Sequence, residues 1–243
     1  MNIALIFAGG VGVRMKRSGL PKQFLDLDGK PILIRTIEKY SMCDDVDIII
    51  VVCHKDFTEL LRELIDRYQL KKIKKIVEGG KTGQESIFNG LSYIETQIKA
   101  GGLANDSIVL LHDGVRPFIS QELIKESIRL AREKGNCIVA SQAIETIAEC
   151  QDKAITKILK RRDCLLLKAP QTFIFKDIYR IHCKAINDGC LDFVDSAEMM
   201  LAYGYKLNYM LCEPTNIKIT TPIDFFAAKG ILKDEVMKHV YGL

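Results

Sequence analysis

Ile3-Ala4-Leu5-Ile6-Phe7-Ala8-Gly9-Gly10-Val11-Gly12-Val13-Arg14-Met15, followed shortly by Leu20-Pro21-Lys22-Gln23, is the most constraining segment of this chain. The apolar run from Ile3 to Phe7 reads as a buried first strand, which places the glycines where an α/β sheet opens its ligand crevice. Glycine lets backbone N–H groups approach anionic oxygens closely, and Arg14 and Lys22 add positive charge beside them. The loop therefore has the makings of a phosphate cradle. A dinucleotide-binding fingerprint would need glycine where Met15 stands, and a Walker loop would need Gly-Lys followed by Ser or Thr, so neither template fits. The remaining alternative for the loop alone is a glycine-rich turn flanked by solvated basic residues.

On either side of this loop, apolar runs and helical patterns alternate. The spacing predicts a helix over 31–42, a β-branched strand over 46–53, and an amphipathic helix over 56–68 with Leu60, Leu61 and Leu64 inward. A strand over 73–77, a helix over 84–96 and a strand over 107–111 follow. Ser120-Gln121-Glu122-Leu123 reads as a helix start running to about Lys134 and ending near Gly135, with a strand over 137–140 behind it. Such βαβα alternation predicts an α/β fold, a mostly parallel twisted sheet flanked by helices, Rossmann-like, with ligands at the carboxyl ends of the strands. From 142 to 169 the pattern changes to short β-like pieces, 143–148 and 155–159, around Gln151-Asp152-Lys153. This segment reads as a protruding arm, and an isolated two-stranded arm needs something to pack on, such as a second subunit. The tail reads as helices over 176–187 and 196–203, strands over 206–211 and 217–220, and a last helix from Pro222. No linker or repeat interrupts the pattern, so residues 1–243 read as a single domain.

Composition narrows the class. A content of 48% hydrophobic residues supports a substantial core, and the net charge of +4, from 35 basic and 31 acidic residues, is too mild to argue for nucleic acid. The eight cysteines are scattered without a C-x-x-C pair, as expected of reduced core thiols. The first apolar run is too short for a signal peptide, and no segment approaches the roughly 20 apolar residues of a membrane span. The expectation is a cytoplasmic protein that engages neither nucleic acid nor membrane.

Three further clusters carry chemistry. His112-Asp113-Gly114-Val115-Arg116-Pro117 follows the strand ending at Leu111, where the crevice should lie. Mg²⁺ accepts one or two carboxylates together with phosphate oxygens, which makes Asp113 the metal candidate. The alternative is that Asp113 and Arg116 cap a turn or pair with each other. His112 alone suits a core hydrogen bond better than chemistry. Lys218, within Asn216-Ile217-Lys218-Ile219-Thr220, points either to solvent or into a polar site. Gly79-Gly80 ahead of Gln84-Glu85-Ser86 offers a second turn with exposed N–H groups. In the arm, Thr146 is followed by Lys157, Lys160, Arg161 and Arg162, which suit either phosphate recognition or a solvated edge that discourages strand pairing.

Taken together these motifs resemble the CTP-dependent cytidylyltransferases that act on sugar-alcohol phosphates, those acting on 2-C-methyl-D-erythritol 4-phosphate in isoprenoid synthesis and those activating ribitol 5-phosphate. The likeness runs from Ala8 to the last helix through Ala-Gly-Gly-x-Gly-x-Arg-Met, Pro-Lys-Gln, the Gly-Gly turn, His-Asp-x-x-Arg-Pro, Pro-Gln-Thr-Phe and Asn-Ile-Lys-Ile-Thr. The resemblance implies a nucleotide-diphospho-sugar transferase-like fold, a Mg²⁺ requirement, and a homodimer whose 142–169 arms complete each other's sites. It assigns Arg14 and Lys22 to the CTP phosphates, Ala8, Gly9, Gly10, Gly12, Gly80, Ser86 and Gly114 to CTP binding, and Asp113 to the metal or substrate. It places Lys218 at the reacting phosphate, with Arg14, Lys22, Asp113 and Lys218 as the catalytic set, and Arg116, Thr146 and Arg161 at the acceptor. One position departs from the family: threonine usually precedes Pro-Gln, and this chain has Ala169, so a hydroxyl contact to the acceptor phosphate is lost or taken over by a residue such as Lys168.

Val115 before Arg116, and Ala148-Glu149, look more like the ribitol branch than the erythritol branch, which favours ribitol 5-phosphate as acceptor. The competing readings are 2-C-methyl-D-erythritol 4-phosphate as acceptor, a sugar-1-phosphate nucleotidyltransferase using another nucleotide, and a catalytically silent nucleotide-binding module.

Overall fold

The computed structural model describes residues 1–10 and 20–241, with side chains described for residues 1–10 and 20–234. Strands β1 (Asn2–Ala8), β2 (Ile48–Cys53), β3 (Ile73–Glu78) and β4 (Ile108–Asp113) are parallel, with β1 between β2 and β4 and β3 outside β2. β1, β2 and β4 are read easily from sequence because both faces are covered: Ile3, Ala4, Leu5 and Ile6 have no exposed surface, so apolar residues run on instead of alternating, whereas β3, at the sheet edge, exposes Lys74, Lys75 and Glu78. Helices α1 (Ile32–Ser41), α2 (Thr58–Arg67) and α4 (Gln121–Lys134) bury Ile37, Leu61 and Ile124 against one face. Helices α3 (Gly83–Lys99), α5 (Phe175–Asn187) and α6 (Ser196–Ala202) bury Leu91, Ile178 and Met199 against the other. Helix α7 (Pro222–Tyr241) packs Ala228 into a smaller cluster with Leu27, Val115 and Ile219.

The helix starts follow from local chemistry. Thr82 accepts from the Glu85 N–H at the head of α3, and Ser120 accepts from the Leu123 N–H at the head of α4. Gly135, at φ +87°, ends α4 in the left-handed conformation that glycine adopts without strain.

The remaining strands are β5 (Asn136–Gln142), β6 (Ala148–Gln151), β7 (Ala154–Ile158), β8 (Leu165–Ile174) and β9 (Tyr209–Leu211). The large sheet has the order β3-β2-β1-β4-β8-β5-β9, with β8 antiparallel to both of its neighbours. Local pattern does not reveal β8, which spans 10 residues at the centre of the sheet, because Pro170, Gln171 and Thr172 break its apolar run. Its hydrogen-bonding partners are distant in sequence. As a result residues 165–169 belong to the main sheet and not to the protruding segment.

The arm itself is the β6–β7 ribbon, exposed along both strands and turned by Asp152 and Lys153 at φ 50° and 65°. The strand expected over 143–148 begins only at Ala148. Residues 217–220 form no strand, although the Ile219 N–H donates to the Val115 carbonyl at 3.0 Å and ties the segment to the end of β4.

Phe173 on β8 is fully buried among side chains of both flanking strands and α5. Phe173→Ala is therefore expected to lower the unfolding free energy by about 3–5 kcal/mol, measured by urea denaturation. A change below about 1 kcal/mol would contradict a central position for β8.

Candidate active site

Parallel packing brings the carboxyl ends of β1, β3 and β4 to one edge of the sheet. Ala8, Gly9 and Gly10 leave β1 there, and the buried Gln23 side chain fixes their path by donating to the Ala8 carbonyl at 2.7 Å and the Gly10 carbonyl at 3.1 Å. Opposite, the Gly80 N–H donates to Ser86 Oγ at 3.0 Å, and that hydroxyl donates to the Thr82 carbonyl at 2.8 Å. The two turns nearly touch. A Cβ on Gly9 would lie 2.9 Å from Ser86 Oγ, so a side chain there would have to turn that hydroxyl away from its two bonds or push the turns apart. Gly114, at the end of β4, is equally confined, since a Cβ there would lie 2.8 Å from Leu33 Cδ1. A cleft of about 380 Å³ opens between the turns, bounded by Gly9, Gly10, Lys22, Gly80, Asp113 and Lys218.

Asp113 is the floor of this cleft. Its carboxylate accepts from Arg116 Nε at 2.8 Å and Lys218 Nζ at 2.6 Å, with side chains of Asp113 and Arg116 largely buried. Burial alone would push the Asp113 carboxyl up, but the Lys218 ammonium, the Arg116 guanidinium and their hydrogen bonds outweigh it and hold the group below the ordinary carboxylate range. Arg116 also donates to the Asn216 carbonyl at 3.1 Å, and Lys168 donates to the same carbonyl at 3.1 Å. The buried Asn216 amide donates in turn to the Ala169 carbonyl at 2.8 Å. Burial pushes the Lys168 ammonium down, with Arg116 acting in the same direction.

A second cleft, of about 290 Å³, shares Phe7, Gly83, Asp113 and Lys218 with the first and continues between β8, α3, α5 and α6. Arg116 and Lys168 line it with Lys218, giving three cationic side chains on its walls. Two anions entering from the two clefts would meet at Asp113 and Lys218.

Most of the expected residues converge here. Ala8, Gly9, Gly10, Lys22, Gly80, Ser86, Asp113 and Lys218 line the first cleft, and Arg116 lines the second. Both open alternatives at Asp113 and Lys218 resolve in the same contact: Asp113 pairs with Arg116, and Lys218 turns into the site. Gly12 and Arg14 lie outside the described residues. Thr146 and Arg161 line neither cleft of their own chain; Thr146 is exposed in the arm, and Arg161 donates to the Ile144 carbonyl at 3.1 Å. His112 packs against Tyr40 and donates Nε2–H to the Arg116 carbonyl at 3.1 Å, while burial pushes its ring down to about 4, so it is a neutral structural residue. Gln23, Asn216, Gln84, His182 and Ser196 were not singled out by pattern. Gln23 could have been, through the Pro-Lys-Gln motif, whereas a polar residue facing inward from an amphipathic helix, such as His182, gives no local sign of what it faces.

Among the described residues no three His, Cys, Asp or Glu side chains are grouped as a metal cage. Asp113 alone does fit a divalent ion that brings most of its ligands as phosphate oxygens and water, because each of its oxygens keeps a lone pair beyond the bonds it already accepts.

The lowered Asp113 carboxyl stabilises the fold above its unfolded-state value, about pH 4, and this contribution is lost as pH falls through the lower folded-state value. Lys218→Met removes the nearer of the two cations and raises the carboxyl, so the acid limb of a urea-midpoint profile between about pH 2 and 6 is expected to move to higher pH. Superposable profiles would contradict the pairing.

Residues 2–234 match the family model for 2-C-methyl-D-erythritol 4-phosphate cytidylyltransferase, IspD. The chain is 41% identical, over the whole of both chains, to the ribitol-5-phosphate cytidylyltransferase of Vibrio parahaemolyticus, and 39% identical over full length to that of Streptococcus agalactiae. The structure is similar to the crystal structure of 4-diphosphocytidyl-2C-methyl-D-erythritol synthase from Anaerococcus prevotii, with a TM-score of 0.81, 28% identity and 96% of each chain covered. It is also similar to 2-C-methyl-D-erythritol 4-phosphate cytidylyltransferase from Francisella tularensis, with a TM-score of 0.77, 25% identity, and 95% of this chain and 99% of that one covered. With the glycine cleft and the buried Asp113 in place, these matches mean that the chain belongs to the IspD family of cytidylyltransferases and is a nucleotidyltransferase.

Proposed function

We propose that the protein transfers CMP from CTP to ribitol 5-phosphate, giving CDP-ribitol and pyrophosphate. The observation that carries the transfer is the confluence of two clefts at Asp113 and Lys218, one walled by glycine turns and the other by cations. Support for ribitol as acceptor comes from full-length identities of 39–41% to ribitol-5-phosphate cytidylyltransferases, against 28% and 25% to the erythritol-type structures.

No general base is needed. A phosphate monoester has its second pKa at about 6, so the acceptor is largely a dianion at neutral pH and is already a nucleophile. One of its oxygens attacks the α-phosphorus of CTP, and the bond from that phosphorus to the oxygen bridging to the β-phosphate breaks, releasing pyrophosphate in line. The obstacle is repulsion between two anions. Lys218 and Arg116 offset it where the clefts meet, held in place by Asp113, with Lys22 on the triphosphate side. The family resemblance adds Arg14 to this set. Magnesium, held by Asp113 and phosphate oxygens, would neutralise further triphosphate charge. Glycine turns at Gly9, Gly10 and Gly80 leave room for the nucleotide, with Ser86 beside it; Gly114 lines neither cleft and faces Leu33 and Ala8 instead.

The reading includes a homodimer. The arm exposes Ile155 and Ile158 at 70% and 56%, Ile144 in the segment leading into it is 73% exposed, and Leu166 and Leu167 at the base of β8 are about half exposed. Isolated ribbons are marginal in water, and such apolar surface calls for a partner. A second copy would cover it and bring Thr146 and Arg161 to the partner's acceptor cleft.

Incubation with CTP, Mg²⁺ and ribitol 5-phosphate is expected to release pyrophosphate, faster than with 2-C-methyl-D-erythritol 4-phosphate; the opposite preference would overturn the acceptor assignment. Lys218→Ala and Lys22→Ala are each expected to lower turnover by about 100-fold or more, and wild-type rates would remove them from the mechanism. For the arm, Ile155→Asp with Ile158→Asp is expected to give monomers by light scattering and to raise the acceptor KM, as Arg161→Ala does, while KM for CTP stays within about twofold. A dimer with unchanged acceptor KM would refute the arm's role.

A further inference from the structure

Among the walls of the second cleft are polar atoms that the transfer chemistry leaves unused. His182, Ser196 and Gln84 line it at exposures of 0%, 2% and 9%, and among the described residues Ser196 Oγ, Gln84 Oε1 and both nitrogens of His182 have no hydrogen-bond partner. Gln84 Nε2 donates to the Cys190 carbonyl at 3.0 Å. Buried polar groups are nearly always satisfied, and each one left unpaired is costly, so four unpaired atoms on three side chains beside one cavity need an explanation.

We infer that His182, Ser196 and Gln84 are the specificity-determining residues of the acceptor, reading the hydroxyl groups of an extended acyclic polyol whose phosphate lies at Asp113 and Lys218. This inference rests on the proposed transfer to a polyol phosphate and deepens it. The chemistry is complementary: a neutral imidazole offers one donor and one acceptor, a serine hydroxyl can do either, and Gln84 Oε1 accepts. A hydroxyl also donates and accepts, so a chain of hydroxyls can satisfy all of them. An anionic tail is a poor match, because burial pushes His182 down to about 4 and leaves it uncharged at neutral pH. Ile87, Phe193 and Met199 on the same walls suit the C–H faces between the hydroxyls. The cations Arg116, Lys168 and Lys218 stand on β8 and around the end of β4, whereas the orphaned groups sit on α3, α5 and α6. The cleft is thus divided into a charged part for phosphate and a neutral part for the tail.

The test compares Ser196→Ala and His182→Leu with the parent, using the affinity for CDP-ribitol and for CDP by calorimetry and pyrophosphate release from CTP with ribitol 5-phosphate. The parent is expected to bind CDP-ribitol more tightly than CDP. Each variant is expected to weaken CDP-ribitol about tenfold or more and to raise the KM for ribitol 5-phosphate correspondingly, while affinity for CDP changes by less than about twofold. Because the substitutions delete orphaned groups, the melting temperatures are expected to stay level or rise, which also shows that the variants fold. Unchanged CDP-ribitol affinity in both variants, or equal losses for CDP-ribitol and CDP, would overturn the inference. A parent that binds CDP-ribitol selectively but releases no pyrophosphate from CTP and ribitol 5-phosphate would instead sink the transfer reading.

Discussion

One buried carboxylate, shared between an ammonium and a guanidinium, joins the parts of this molecule that have to work together. Asp113 ends β4, Arg116 follows three residues later, and Lys218 arrives from a segment more than a hundred residues away. An isolated carboxylate at that depth would take up a proton, and two unpaired cations beside each other would repel. Bound together they hold the C-terminal segment against the sheet and keep positive charge fixed where two clefts meet. Arg116 and Lys168 then converge on the Asn216 carbonyl, so the backbone before Lys218 is anchored from β4 and from β8 at once.

That arrangement explains how a protein can promote attack of one phosphate on another without a base. The nucleophile is already charged at neutral pH, and the barrier lies in bringing like charges together. A preorganised cationic floor addresses that barrier directly. The orphaned polar groups of α3, α5 and α6 address a different requirement, the choice of which phosphate ester enters.

Much of this was legible in the chain. Ile3 to Phe7 announced a doubly covered strand, the glycines after it marked the crevice, and Ser120 and Gly135 marked the ends of α4, because each signal depends on residues within a few positions of one another. The hidden parts depend on distant partners. Gln171 and Thr172 look wrong for a central strand, yet Gln171 is satisfied by Asp195 and the Ala197 N–H, which only the folded chain brings near. Lys218 between two apolar residues could point either way until Asp113 is placed beneath it. His182 reads as one more polar residue on an amphipathic helix, since periodicity records which face is inward and not what cavity lies behind it.

The central position of β8 also shapes how the chain comes together during synthesis. β4 and β5 emerge from the ribosome first, and the strand that hydrogen-bonds to both of them is made afterwards, beyond the ribbon. Until it inserts, each presents an open edge to the surroundings, and such edges are where nascent chains associate wrongly. The keystone of the sheet is thus among its last pieces to be laid, and the half-made molecule depends on prompt arrival of its own downstream residues to stay soluble.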